Sequence, residues 1–294
     1  MTREAPASLY PLIFAMVVFW SANYIVGKIA LHEFPPMLAC GIRVGFATIF
    51  LAPVYVWKRW QDLWTNRDWK TLLSLGIFGV TLNQVFFMAG LSRTSASHSV
   101  LMMSMSPMFV LLIATARRQE RMTALKLTGM LLAIGGVGIL NAMPSSGSPG
   151  SRATLWGDFL VLLSALAFAA FTVMGKTAAA QHDSITANTF SYLGATVAVA
   201  PLALWEARGF SFGVVSAAAW TSILYMALFP SVVCYLIYYY ALHFIPASRV
   251  AAFSYLQPVL ATIMAVVALG ERVTLPLVAG GAVIFSGVYL TERG

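Results

Sequence analysis

Runs of about twenty consecutive apolar residues recur along the whole chain, and they decide what it can become. A helix rises 1.5 Å per residue, so about 20 apolar residues cross the roughly 30 Å hydrocarbon layer of a bilayer. Ten segments of the 294-residue sequence meet that requirement: 10–31, 36–57, 70–91, 96–116, 123–141, 155–178, 185–205, 217–241, 247–268 and 274–291. The loops between them are too short to hold a soluble domain. The longest breaks are Lys58–Trp69 and the Ser/Gly/Pro-rich stretch Pro144–Arg152, which reads as a flexible linker. The expected fold is therefore an all-α membrane protein of ten transmembrane helices.

Charge supports that reading. Only 10% of the residues are charged, against about 25% in soluble domains. The net charge of +8 does not form the clustered basic face of a nucleic-acid binder, so no nucleic-acid partner is expected and the bilayer is the main one. Lys and Arg instead sit in the short loops, where they set orientation. With the amino terminus inside, twelve fall on the cytoplasmic side and five on the other, leaving Arg43 within a span. Both termini are accordingly expected in the cytoplasm, with the chain multi-pass in the inner (plasma) membrane. The first apolar run follows a short polar start, Met1 to Leu9, and is too long for a signal-peptide core, so it is expected to remain as the first span. Cys40 and Cys234 lie inside apolar runs and read as small buried hydrophobes. No cofactor or metal is expected.

The ten segments divide into two sets of five. A shift of 148 aligns Gly27-Lys28 with Gly175-Lys176, Ala47-Thr48 with Ala195-Thr196, and Ala52-Pro53 with Ala200-Pro201. A shift of 151 aligns Ala96-Ser97 with Ala247-Ser248, Pro107 with Pro258, Glu120-Arg121 with Glu271-Arg272, and Gly136 with Gly287. Residues 1–143 and 155–294 therefore read as two copies of one unit, joined by a linker at 144–154. An odd number of spans per copy makes the second run upside down relative to the first, an arrangement found in secondary transporters.

The two five-span copies, the Pro107–Glu120-Arg121 segment and its partner Pro258–Gly270-Glu271-Arg272 resemble the EamA branch of the drug/metabolite transporter superfamily. Nearly the whole chain takes part. Within that branch the sequence is similar to YddG-like exporters of aromatic amino acids and related amphipathic metabolites. The resemblance implies a small-molecule substrate, an amino acid or similar metabolite, and a monomer or homodimer.

Intramembrane charge is the usual mark of a transport site, yet every carboxylate and every histidine falls in a loop or near a predicted helix end. That points to an uncoupled carrier, or to coupling through helix-end groups. The spans carry aromatic and neutral polar residues instead. Trp20, Asn23, Tyr24, Gly27 and Lys28 fall on one helical face. Asn83 and Gln84 lie mid-span, Ser99, Met102, Met103 and Ser106 precede Pro107, Phe171 lies in the sixth segment, and Tyr235 and Tyr239 stand one turn apart. Ser254 and Gln257 come just before Pro258. The candidate substrate-binding set is Trp20, Asn23, Tyr24, Asn83, Gln84 and Met103 from the first copy, with Phe171, Tyr235, Tyr239, Ser254 and Gln257 from the second.

Each candidate has a plainer reading. Tyr225 and Tyr240 can anchor at the membrane interface, and small polar residues can simply bond a neighbouring helix. Methionines fill gaps in packing. Pro107 and Pro258 are either static kinks or paired gating hinges. Glu120-Arg121 and Glu271-Arg272 either set helix-end geometry or latch a gate. Arg43 either snorkels to the outer surface or meets a substrate carboxylate. Gly135-Gly136-Val137-Gly138 and Gly280-Gly281 suit close helix packing. An enzyme lacks its nucleophile–base or metal constellation at depth, and a channel lacks a filter or charged ring. The remaining alternatives are a proton-coupled multidrug or metabolite exporter and a non-transporting membrane receptor or assembly protein.

Overall fold

In a computed structural model of the chain, the described residues are 6, 8–59, 72–73, 75–116, 123–141, 154–244 and 253–293. Every regular element among them is helical. The linker expected at 144–154, apart from Thr154, and the Glu120-Arg121 pair lie outside the described residues.

Helices α1 (Leu9–Glu33) and α2 (Pro36–Arg59) turn over at Phe34 and Pro35. Proline at the start of α2 costs nothing, because the first turn has no intrahelical partner for its missing N–H. The next span, already helical at residues 72–73 and 75, passes through a π-helical turn, Gly76–Thr81, and continues as α3 (Leu82–Leu91). The fourth is broken into α4 (Ala96–Met103) and α5 (Ser106–Ala116), and α6 (Ala124–Asn141) follows. The second half runs through α7 (Leu155–Gln181), α8 (Ser184–Ala207), α9 (Ala217–Met226), a π-helical turn at Ala227–Val233, and α10 (Cys234–Phe244). It ends with a 3-10 turn Phe253–Leu256, α11 (Gln257–Leu269) and α12 (Leu275–Arg293).

Six stretches among the described residues are long and apolar enough to cross a bilayer: Leu9–Glu33, Pro36–Lys58, Ala96–Ile113, Leu155–Gly175, Ser184–Ala207 and Ala217–Leu242. The apolar helices Gly79–Leu91, Ala124–Ile139, Gln257–Leu269 and Leu275–Gly287 are shorter, at 10–17 residues. Large apolar side chains cover the outside, with Val197 66%, Leu204 67% and Val267 82% exposed. Such a surface is compatible with lipid, and water would penalise it.

Packing is reciprocal between elements that the two sequence shifts align. Helices α2 and α8 pack together, and the Thr48 and Thr196 hydroxyls, 148 positions apart, bond each other at 2.8 Å. Helices α6 and α12 pack through glycine. A Cβ on Gly136 would lie 2.9 Å from the Gly280 carbonyl, and one on Gly287 would lie 2.5 Å from the Gly129 carbonyl. Gly129 and Gly280 are partners under the 151 shift, as are Gly136 and Gly287, so one contact mirrors the other. A Cβ on Gly135 or Gly138 would meet nothing within 4 Å, so the run does not pack as a unit. A helix turns about 100° per residue, and only one glycine of the run can face the neighbour.

Glu271 ties α11 to α4. Gly270 adopts a left-handed conformation (φ 64°) and ends α11, which reverses the chain so that Glu271 reaches across. Its carboxylate accepts from Ala96 N (2.8 Å), Ser97 N (3.2 Å) and Ser97 Oγ (2.6 Å). Glu206 does the same for α2, accepting from Met37 N and Leu38 N, and Glu33 accepts from Ser216 N and Oγ before α9. Carboxylates at helix starts satisfy orphan N–H groups and oppose the helix dipole. Glu271 thus sets helix geometry, while Arg272 beside it is exposed. Cys40 and Cys234 are buried free thiols.

Candidate functional site

A cavity of about 70 Å³ lies between the two halves, lined by residues of both. Trp20, Asn23 and Tyr24 line it from α1, one face of that helix as their spacing requires. Arg43 comes from α2, and Asn83, Gln84 and Phe87 come from α3 directly after its π turn. Val100 and Met103 close it from α4, with Ser104 and Ser106 at the α4–α5 break. Phe168, Tyr235 and Gln257 complete the wall from α7, α10 and α11.

The aromatic side is held edge to face. Trp20 meets Phe168 at 5.9 Å and 89°, and Tyr235 at 6.0 Å and 85°. Such pairs gain beyond the area they bury. The Trp20 indole N–H donates to the Pro230 carbonyl at 3.2 Å, within the second π turn. A π turn leaves backbone carbonyls out of the usual ladder, which frees them for side chains, and such turns gather at functional sites. The two π turns, Gly76–Thr81 and Ala227–Val233, begin 151 positions apart, the same shift that aligns their surroundings. Within them the Thr81 and Ser231 hydroxyls donate back to the Gly76 and Met226 carbonyls.

The polar side is only partly satisfied. Asn83 is fixed: its Nδ2 donates to Ser164 O (3.1 Å) and Oγ (2.9 Å), and Ser164 Oγ donates back to Asn83 O. Asn23 Oδ1 is buried without a partner among the described residues. Arg43 is 2% exposed, so it does not snorkel. Its Nε donates to Ser231 Oγ at 2.9 Å, while Nη1 is buried with no partner among the described residues. Helix α2 lies against the second π turn, and that contact, far off in sequence, holds the guanidinium inside.

Eight sequence candidates thus share one cavity: Trp20, Asn23, Tyr24, Asn83, Gln84 and Met103, with Tyr235 and Gln257 opposite. Phe171 and Tyr239 do not reach it. Phe171 packs behind Tyr235 at 5.5 Å and against Gly79 of the first π turn. Tyr239, one turn beyond Tyr235, meets Phe171 at 5.7 Å and points its hydroxyl at Ser191 on α8. Ser254 has its side chain outside the described residues. Tyr225 bonds the Phe19 carbonyl, and Met102 and Met105 are buried in a separate packing cluster. Phe87, Val100, Ser104 and Phe168 join the wall with no signal in their own spacing, and Arg43 joins it instead of snorkelling to the surface.

The prolines do not kink continuous helices. Pro107 occupies the first turn of α5 and Pro258 the first turn of α11, so each follows a break. Residues Ser104 and Met105 form the first break, where Ser104 Oγ donates to Leu101 O and Ser106 Oγ donates to Met103 O (2.7 Å). Met103 O is the acceptor that the N–H missing at Pro107 would have used, so the neighbouring hydroxyl replaces it. Away from the cavity, His98 Nδ1 lies 2.9 Å from Asp158 Oδ2, and Thr94 Oγ1 donates to Asp158 Oδ1.

The chain is similar along its length to proteins named as uncharacterized transporters. It is 29% identical over 282 residues to an uncharacterized transporter of Archaeoglobus fulgidus, covering 95% of this chain and 96% of that one. It is 26% identical over 283 residues to the uncharacterized transporter YetK of Bacillus subtilis, covering 96% and 86%. One crystal structure shares the fold with a TM-score of 0.66 at 16% identity, over 97% of this chain and 96% of that one. Residues 8–142 and again 155–293 match the EamA-like transporter family. The chain therefore belongs to the EamA-like family of membrane transporters and is not an enzyme.

Proposed function

We propose that the chain is a secondary transporter of ten spans, its two five-helix halves inverted, working by alternating access with both termini in the cytoplasm. Its substrates are small amphipathic metabolites, aromatic amino acids foremost, exported across the inner membrane without obligatory ion coupling. The central cavity carries this reading: aromatic rings on one side, amides, hydroxyls and the Arg43 guanidinium on the other, and no carboxylate among the described residues of its wall. The duplication is supported by the two consecutive family matches, the paired π turns and the reciprocal contacts of Thr48 with Thr196 and of the glycines.

In alternating access the halves part around this cavity on one side of the membrane and then on the other. Pro107 and Pro258 sit at the two breaks that would bend. Counterflow of labelled aromatic amino acids in proteoliposomes tests the function. Exchange that persists after proton and sodium gradients are collapsed supports it, and no exchange with any amino acid refutes it. The buried His98–Asp158 pair favours a second reading, a proton-coupled exporter. In that case substrate accumulates against its gradient when a pH difference is imposed, and His98→Gln abolishes the accumulation.

A further inference from the structure

Among the described residues of the cavity wall, Arg43 is the one side chain with a permanent charge, and no carboxylate lines the cavity with it. The groups around the guanidinium are Cys40, Tyr192, Ser231, Cys234 and Tyr235, all neutral at physiological pH. Five carboxylates are committed elsewhere. Glu33, Glu206 and Glu271 hold the starts of α9, α2 and α4, Asp183 caps α8, and Asp158 holds Thr94 and His98. Glu292 belongs to the last turn of α12. Ser231 fixes the guanidinium through Nε, leaving Nη1 buried beside the cavity without an acceptor among the described residues. A guanidinium taken out of water without a counter-ion is destabilising unless an anion completes it, and its planar fork matches a carboxylate. Asn23 Oδ1, also buried on the wall and without a partner among the described residues, is an acceptor suited to an ammonium group.

We infer that Arg43 is the carboxylate-recognition residue of the cavity, and that the substrates are ring-bearing solutes with a free carboxylate rather than amines or neutral compounds. Trp20, Tyr235 and Phe168 hold the ring, the Arg43 guanidinium holds the carboxylate, and Asn23 Oδ1 accepts from the ammonium group of an amino acid. The inference rests on the transport reading above and narrows it.

Four probes separate the groups: L-phenylalanine, 3-phenylpropionate, L-phenylalaninamide and phenethylamine. Each is titrated against the purified full chain by thermal shift and used to compete counterflow of labelled L-phenylalanine. The two carboxylates are expected to stabilise and compete, L-phenylalanine best, with the amide and the amine about 10- to 100-fold weaker, as the loss of a charge-assisted contact implies. Arg43→Gln is expected to abolish that preference and Arg43→Lys to keep part of it. Equal competition by the amide or the amine in the unaltered protein overturns the inference while counterflow itself survives, and it needs no variant to fold. A preference for carboxylates that persists in Arg43→Gln also overturns it. If no probe shifts the protein and no counterflow occurs, the transport reading falls and the inference with it.

Discussion

Replacing Glu271 by alanine removes an acceptor for three hydrogen bonds at the start of α4, to Ala96 N, Ser97 N and Ser97 Oγ. The residue is 9% exposed, so water cannot easily take its place. Loss of a helix cap costs about 0.5–2 kcal/mol, and a hydrogen bond to a charged group contributes about 1.5–3 kcal/mol. Ser95 Oγ still accepts from His98 N, which keeps one donor of that turn satisfied. A destabilisation of about 2–3 kcal/mol follows, with Glu271→Gln at about 1 kcal/mol because one neutral acceptor remains. Unfolding titrations in mixed micelles measure it, and a double-mutant cycle with Ser97→Ala isolates the contact. We expect a coupling of at least about 1 kcal/mol, because the pair shares one site. Strict additivity of the two substitutions refutes the assignment of Glu271 as the α4 cap.

Gly136→Ala forces a Cβ to within 2.7 Å of the Ile284 backbone nitrogen and should destabilise by about 1–3 kcal/mol, whereas Gly135→Ala, with open space around it, should be neutral or stabilising by up to about 1 kcal/mol. Thermal denaturation of the two variants side by side checks the opposite signs. Asn83→Ala leaves Ser164 Oγ and O short of a partner and should cost about 1–3 kcal/mol while slowing counterflow, since Asn83 also lines the cavity. Trp20→Phe keeps an aromatic ring in the cage but loses the bond to the Pro230 carbonyl, so binding should weaken by about tenfold with the fold intact, as read by ligand thermal shift.

Much of this is legible in the sequence because membrane helices report their length and face directly. The segment 36–57 emerges as Pro36–Arg59, and the spacing of Trp20, Asn23 and Tyr24 puts all three on the cavity. Arg43 is not legible. Its burial depends on Ser231, 188 residues away, and a local reading of α2 leaves both outcomes open. The π turns escape for a related reason. One extra residue in a turn rotates everything after it by about 100°, yet the residues involved are ordinary apolar ones. Phe171 and Tyr239 fall behind the wall rather than on it because depth in the membrane and distance from the cavity axis are independent, and the sequence reports chiefly the first.

The Thr48–Thr196 bond has a mechanical consequence. Under the proposed duplication, two residues that are each other's counterparts and also touch must straddle the axis relating the halves. In the proposed cycle each half takes up the other's conformation, so an off-axis contact formed without its counterpart is traded for that counterpart on the opposite side. A contact on the axis is its own counterpart and need not break. The threonine pair is then a bearing around which α2 and α8 swing. Cross-linking cysteines placed at those two positions should leave turnover intact.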